Sequence, residues 1–264
     1  MPSQKASKRR RQAVKAPPPP KPRGAAGPRR ASPKVLIIAG VVAVAVVVAI
    51  VLAVVLTGGS SSPSSSTSAP QLPDAPDVQQ QFAGIPQNGT VLGKPTAPVT
   101  VIQYVDMQCP FCRQFETEAM PTILTKYVRS GKAKIESRPI AFIGPDSSTG
   151  RTAALAAAKQ NKMFNFMQLL YDNQGTENTG WLDDNIINSA AASIPGLNKE
   201  QFQSDRGASS VSDLEKKIDG QATDANVNST PTLYVVAKGG TPKLVTLSSP
   251  GDPSALEAAI NAAG

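Results

Sequence analysis

The sequence predicts an α/β domain with a mixed central sheet and an inserted helical subdomain, preceded by a single transmembrane helix. Three features of the chain support this fold class. The run 98–105 is β-branched and apolar at nearly every position, which is typical of a strand buried on both faces. Apolar stripes with helical spacing then occupy about 145–226. An uninterrupted apolar segment, 35–56, comes before the whole region.

Within the domain, 88–264, the predicted order is strand, helix, strand, several helices, strand, strand, helix. Strands are expected at 98–105, 133–142 and 232–237, and a hairpin partner is expected at 243–247. In the last helix, Ser254 and Glu257 have the spacing of a capping box. A central sheet interrupted by a helical insertion follows from this order.

Charge is distributed unevenly along the chain. Eleven of the 27 basic residues precede residue 35, where there is no acidic residue, although the net charge of the whole chain is +8. The rest carries the remaining 16 basic residues against all 19 acidic ones. The mildly acidic domain therefore lacks the main feature expected of a nucleic-acid-binding protein. Residues 1–34 are basic and proline-rich, which predicts a disordered cytoplasmic tail.

The segment 35–56 has the length and composition of a membrane anchor. As a helix it measures about 33 Å, enough to cross a bilayer. A cleaved signal peptide is the alternative, but its apolar region is shorter and ends at small residues. The basic flank places the N-terminus in the cytoplasm, so the domain is expected outside the cell membrane. Residues 57–87, rich in Ser, Pro and Gln, are predicted to be a flexible linker.

Two properties of the composition restrict the chemistry. The chain has no histidine, which excludes Ser-His-Asp triads, Cys-His proteases and histidine-ligated metals. It has two cysteines, Cys109 and Cys112, separated by two residues. We therefore expect no metal and no organic cofactor, and the candidate redox group is a disulfide between these two residues.

The position of the cysteines predicts how each one reacts. Pro110 suits the first position of a helix, which places Cys109 at the N-cap. The free N–H groups and the dipole at a helix start stabilise a thiolate. Cys109 is therefore expected to be the exposed nucleophile, and Cys112, one turn further, the buried resolving cysteine.

Three other interpretations of the cysteine pair are open. A zinc half-site uses this spacing but needs further ligands, which this chain can supply only by sharing a site between two chains. A purely structural disulfide would close a very small ring and would restrict little chain entropy. Two unreactive buried thiols are the third alternative, although an oxidising compartment disfavours them.

Three stretches of the chain resemble the DsbA-like branch of the thioredoxin superfamily, namely 93–101, 106–112 and 228–235. The resemblance covers about 88–264, and it implies a thioredoxin-like fold with a helical insertion. It also implies that Pro231 follows a cis peptide bond and packs beside the cysteines. The backbone of Thr230 would then pair with the substrate peptide.

Two residues depart from the pattern of this family. Phe111 stands after Pro110, where the family prototype has a histidine that stabilises the thiolate. Gln103 stands where the family often has a buried acid. Asp106 is expected to cap the helix or to form a turn, or else to assist the cysteines. These changes bear on the oxidising strength of the centre.

Hydrophobic residues near the cysteines are candidates for substrate docking. Phe111, between the two cysteines, and Met107 are expected to contribute to an apolar surface around them. Tyr104 lies on the central strand and is expected to be buried.

The resemblance implies a membrane-anchored oxidase that introduces disulfides into unfolded or reduced exported proteins. It also implies reoxidation by a quinone-linked membrane partner of the DsbB or vitamin K epoxide reductase-like type. A disulfide reductase or isomerase remains an alternative, because the cysteines alone do not determine the direction of electron flow. A binding or chaperone module with a static disulfide is the alternative without catalysis.

Overall fold

The computed structural model describes residues 69–264 of the chain. The predicted cytoplasmic tail, the apolar segment 35–56 and the first part of the predicted linker lie outside the described residues. Within 69–264, no helix combines the length and the apolar character needed to cross a membrane.

The described part of the chain forms one sheet surrounded by helices. Its strands are β1 (Gln87–Asn88), β2 (Val91–Leu92), β3 (Val99–Val105), β4 (Ala133–Pro139), β5 (Thr232–Ala237) and β6 (Lys243–Val245). Its α-helices are α1 (Ala75–Phe82), α2 (Pro110–Gln114), α3 (Met120–Ile123), α4 (Pro145–Ala158), α5 (Met163–Asp172), α6 (Asp184–Ala192), α7 (Lys199–Arg206), α8 (Ser209–Asp224) and α9 (Ser254–Ala263). A π-helical turn, Phe115–Ala119, joins α2 to α3, and a second one, Leu124–Val128, follows α3, so that one continuous helical segment ends before β4.

The six strands follow the spatial order β1-β2-β4-β3-β5-β6. Strands β3 and β4 are parallel, and every other neighbouring pair is antiparallel. Strand β3 lies inside the sheet and is buried at six of its seven positions, including Tyr104. The mixed sheet and the buried central strand predicted from the sequence are therefore confirmed.

Five helices, α4 to α8, separate β4 from β5 and form the predicted helical insertion. Helix α4 packs against α5, α7 and α8. The interior of the insertion is aromatic, with the rings of Phe166 and Phe202 centred 5.3 Å apart. Because this apolar interior continues into the core of the sheet, the insertion and the sheet form one domain.

The domain begins earlier than the sequence predicts. Helix α1 falls within the predicted linker 57–87, yet it is folded and packs on α5. Val78 and Phe82, four residues apart on the same face, are buried in the core. The guanidinium of Arg129 donates to the carbonyl of Ala83 at 2.8 Å, just after the end of this helix.

Two other local predictions were wrong. Strand β4 ends at Pro139 rather than at Phe142. The capping box of the last helix does not form, because Asp252 accepts the backbone N–H of Ser254 at 2.9 Å. Glu257 instead pairs with Lys126 at 2.8 Å. For the last helix, the expected capping contact of Glu257 is thus replaced by an ion pair with a residue 131 positions away.

Candidate active site

The two cysteines lie at the start of α2, immediately after the central strand. Cys109 is the N-cap residue, with extended backbone angles, and Pro110 occupies the first turn. The N–H of Cys112 donates to the Sγ of Cys109 at 3.3 Å. The predicted N-cap position is therefore confirmed, and it gives the sulfur of Cys109 a backbone donor that stabilises negative charge.

Hydrogen bonding lowers the pKa of Cys109 to about 6. The largest cause is the hydrogen bond with the side chain of Cys112, while burial acts in the opposite direction; Thr230 and the backbone N–H groups of Cys112 and Phe111 lower the pKa further. When protonated, the Cys109 thiol can donate to the carbonyl oxygen of Thr230, which lies 3.3 Å from its sulfur. At neutral pH most of Cys109 is therefore thiolate.

Cys112 has the opposite environment. Burial raises the pKa of this thiol well above its usual value, and the neighbouring Cys109 raises it further. Both cysteines are free thiols in the structure. The expected exposure of Cys109 was wrong, because only 3% of its surface is accessible. An attacking group must therefore approach its sulfur along a narrow direction.

The loop before β5 lies beside Cys109. The Thr230–Pro231 peptide bond is cis, which confirms the conformation implied by the family resemblance. Pro231 precedes the first residue of β5, where a proline removes no hydrogen bond from the interior of the strand. This loop brings the backbone of Thr230 into contact with the nucleophilic sulfur.

A groove of about 640 Å³ adjoins this loop. Phe111, Pro231 and Leu244 line it together with the segment that follows β6. Phe111 is 59% exposed and Leu244 is 61% exposed, so the groove has an apolar rim open to solvent. The prediction for Met107 was wrong, because this side chain is buried against Gly150 of α4.

Asp106 connects the turn before the cysteines to the loop after β4. Its carboxylate accepts the N–H of Gln108 at 2.8 Å, of Phe142 at 2.7 Å and of Ile143 at 2.9 Å. Its carbonyl accepts the N–H of Cys109 at 3.1 Å. Asp106 thus stabilises turns, as one of the predictions had it, and it does not cap α2.

Gln103 and Glu116 form a buried pair behind the cysteines. The Nε2 of Gln103 donates to Glu116 at 2.6 Å and to Ser137 at 3.2 Å. Burial raises the pKa of Glu116 to about 7; the hydrogen bond from Gln103 opposes this rise, and Asp172 adds to it. Glu116 was missed in the sequence, although it falls one turn after Cys112 on an apolar helical stripe.

Amide side chains connect the active-site turn to the insertion. Gln174 donates to the carbonyl of Met107 at 2.9 Å and to that of Cys109 at 3.2 Å. Gln108 donates to Ser147 at 2.9 Å and accepts from the N–H of Asn178 at 2.7 Å. The sequence contains no local signal for these contacts, because each joins residues about 40 or more positions apart. No metal-binding cluster of His, Cys, Asp or Glu occurs within 69–264.

Comparison with known proteins agrees with this geometry. A sequence model described as "Thioredoxin" matches residues 86–245. The chain is 30% identical over 147 residues to "Probable disulfide bond formation protein D" of Bacillus cereus, covering 54% of this chain and 68% of that protein. It is also 30% identical over 174 residues to "Disulfide bond formation protein D" of Bacillus subtilis, covering 61% and 72%.

The fold is also found among solved structures. The oxidised BdbD of Bacillus subtilis superposes with a TM-score of 0.58 at 22% identity, covering 67% of this chain and 96% of that one. Together with the sequence relatives, this likeness extends over both the sheet and the insertion. The chain belongs to the thioredoxin family, has disulfide bond formation proteins among its relatives, and is a thiol–disulfide oxidoreductase.

Proposed function

We propose that this protein is a membrane-anchored, extracytoplasmic oxidase that introduces disulfides into exported proteins through the Cys109–Cys112 pair. The observation that carries the proposal is the opposite tuning of the two thiols, with the pKa of Cys109 lowered to about 6 and that of Cys112 raised. A stabilised thiolate at Cys109 favours the reduced enzyme and so makes the disulfide a stronger oxidant.

The reaction begins when a substrate thiolate attacks the Sγ of Cys109 in the disulfide. The bond between the two enzyme sulfurs breaks, its electron pair passes to Cys112, and a mixed disulfide forms at Cys109. A second substrate thiolate then attacks the substrate sulfur of this mixed disulfide. Cys109 leaves as a thiolate, a good leaving group at its lowered pKa, and the product carries the new disulfide.

Substrate binding is assigned to the groove beside the cysteines. Phe111 and Leu244 offer apolar contacts, and Thr230, next to Pro231, offers backbone groups to an extended peptide. Such backbone pairing makes few demands on substrate sequence, which suits an enzyme that acts on many unfolded proteins. The relatives named for disulfide bond formation support this direction of reaction.

Anchoring is assigned to 35–56, with 1–34 in the cytoplasm. Each turnover leaves the enzyme reduced, so a second protein must accept two electrons from Cys109 and Cys112. We assign this role to a quinone-linked membrane partner of the DsbB or vitamin K epoxide reductase-like type. No group other than the cysteine disulfide carries electrons in the proposed cycle.

The function is tested by trapping the mixed disulfide between Cys109 and a substrate, which persists when the resolving cysteine is removed. The full chain with Cys112→Ser, expressed in a bacterium, should accumulate mixed disulfides with exported proteins through Cys109, visible as adducts on non-reducing gels. The matched control, Cys109→Ser with Cys112→Ser, should form none. If the single variant also forms no adducts, the disulfide is static and the proposal is wrong.

The reduction potential of the full chain separates an oxidase from a reductase. A value near about −120 mV is typical of a strong oxidant, and a value near about −270 mV is typical of thioredoxin. We expect a value closer to the first. A potential at or below the second would identify the protein as a reductase that uses the same cysteines.

A further inference from the structure

The turn that leads to Cys109 has its carbonyl groups bound by side chains of the insertion. Tyr171, in the last turn of α5, donates its hydroxyl to the carbonyl of Asp106 at 3.2 Å. Gln174, two residues after the end of α5, donates its side-chain amide to the carbonyls of Met107 at 2.9 Å and of Cys109 at 3.2 Å. Three of the four carbonyl groups in this turn therefore accept a side-chain hydrogen bond from one region of the insertion.

The backbone of Cys109 determines which groups its sulfur meets. At the N-cap its angles are φ −70° and ψ 118°. With these angles, the N–H of Cys112 lies 3.3 Å from the Cys109 sulfur, where it stabilises negative charge. A change in ψ would turn the start of α2 relative to this side chain. Because Gln174 binds the carbonyl of Cys109, it restrains this angle.

The loop 173–182, which follows α5, is largely exposed but is held at fixed points. The N–H of Asn178 donates to the side chain of Gln108 at 2.7 Å, and its side chain accepts from the same amide at 3.1 Å. Gly175 lies so close to Trp181 that an added Cβ would be 2.7 Å from the tryptophan side chain. Surface loops are ordinarily more mobile than the elements they join. These contacts instead hold the loop against the turn before α2.

The group that binds the turn is an uncharged donor. The side-chain nitrogen of Gln174 carries two hydrogens, one for each of its two carbonyl partners. A carboxamide does not titrate, so it keeps both donors whether Cys109 is a thiol, a thiolate or part of a disulfide. The support of the turn is therefore available at every stage of the redox cycle.

We propose that Gln174 is a positioning residue that, by holding the carbonyls of Met107 and Cys109, keeps the N–H of Cys112 directed at the Cys109 sulfur. It acts through the backbone, because both of its side-chain hydrogen bonds go to carbonyl groups. The insertion thereby contributes to the reactivity of the nucleophile. This inference rests on the redox role of Cys109 in the proposed function, and it holds for either direction of electron flow.

Variants of similar side-chain length separate hydrogen bonding from packing. In the reduced full chain, the thiolate of Cys109 is followed by its ultraviolet absorbance, and the wild type should titrate at about pH 6. Gln174→Met, which cannot donate, should raise this midpoint by about one pH unit. Gln174→Glu, which faces two carbonyls with a carboxylate, should raise it further. Gln174→Lys restores the donors and should return the midpoint to the wild-type value or below it.

Two variants at one exposed position control for the added charge. Thr176 lies in the same loop and is exposed, so Thr176→Glu and Thr176→Lys should leave the midpoint unchanged. A purely structural role of Gln174 would lower stability without moving the midpoint. A wild-type midpoint in Gln174→Met, or a midpoint in folded Gln174→Lys as high as that of Gln174→Met, overturns the proposal.

A measurement on the wild type covers the case in which the variants do not fold. In the reduced chain, the NMR signals of the Gln174 side-chain amide should shift with the same midpoint as the thiolate absorbance. Amide signals that do not respond to the ionisation of Cys109 overturn the proposal.

The two proposals fail in different ways. Absence of mixed disulfides in Cys112→Ser, with the expected midpoints in the Gln174 series, would reject the proposed function alone. An unchanged midpoint throughout the Gln174 series, in a chain whose Cys112→Ser variant forms mixed disulfides, would reject the positioning role alone.

Discussion

Cys109 and Cys112 occupy one turn of one helix and have opposite properties. Cys109 stands at the N-cap, where hydrogen bonds stabilise its thiolate, whereas Cys112 faces the core, where burial stabilises its thiol. The difference shows that position relative to the helix start, and not residue type, decides which sulfur is the nucleophile. It also orders the reaction, since the first bond to a substrate forms at Cys109.

The contrast has a direct effect on the reduction potential. At pH 7, lowering the pKa of Cys109 from 9.0 to about 6 stabilises the reduced chain by between about 0.7 and about 1.4 kcal/mol, the smaller value allowing for solvent screening. This corresponds to about 15 to 30 mV of added oxidising strength. Cys112 is protonated at pH 7 with or without its raised pKa, so Cys109 carries this contribution.

The strongest test of the contrast is alkylation of single-thiol variants. At pH 7, iodoacetamide should modify Cys109 in Cys112→Ser at least about a hundredfold faster than Cys112 in Cys109→Ser, because the reactive form is the thiolate. The serine hydroxyl can donate to Cys109 in place of the Cys112 thiol, so the rate for Cys109 should still rise through a midpoint well below the ordinary thiol pKa of 9.0. Equal alkylation rates, measured by mass spectrometry, would show that the two cysteines do not differ in reactivity.

The second test removes the carboxylate of Asp106, which stabilises the turn before the cysteines, and leaves Cys109 at the N-cap of α2. Asp106→Ala leaves three backbone N–H groups without their carboxylate acceptor and should lower the free energy of unfolding by about 4 kcal/mol, measured in urea. The difference in alkylation between the two cysteines should survive. A loss of this difference in a folded variant would show that Asp106, and not the helix start, creates it.

The third test concerns Glu116, the buried carboxyl that follows Cys112 by one turn. The folded-state pKa of Glu116 is raised from 4.5 to about 7, so the wild type should lose about 3 kcal/mol of stability as the pH rises from about 4.5 to about 8. The loss occurs because the carboxyl must ionise in the core above its folded pKa. Glu116→Gln should lack this part of the pH dependence. Glu118→Gln, a change at an exposed carboxyl in the same π-helical turn, should retain it.

The smallest effect is expected from a change far from the cysteines. Asp183 caps α6, and its side chain accepts the N–H groups of Asn185 and Ile186. Asp183→Ala should cost about 1 kcal/mol in urea unfolding. The alkylation rate of Cys109 should stay unchanged, and a shift in that rate would show that the insertion helps to tune the redox centre.

The sequence predicts the parts of this site that depend on neighbouring residues. Pro110 indicates the N-cap position of Cys109, and the apolar run 98–105 indicates the central strand, because both follow from local backbone preferences. The cis bond before Pro231 followed from family resemblance. The contact of Gln103 with Glu116 and the end of β4 at Pro139 were not predictable, because they depend on how distant elements pack.

The N-terminal part of the described chain determines how the domain would respond to a pulling force. The N–H of Leu72 donates to the hydroxyl of Ser193 at 2.7 Å, just after α6, and α1 then packs on α5. A pull on residue 69 would therefore be borne first by the insertion. The start of α2, which carries Cys109, and the loop that carries Thr230 would be reached only after these contacts had broken. An enzyme attached through its N-terminus would thereby keep its reactive sulfur in place under mechanical load.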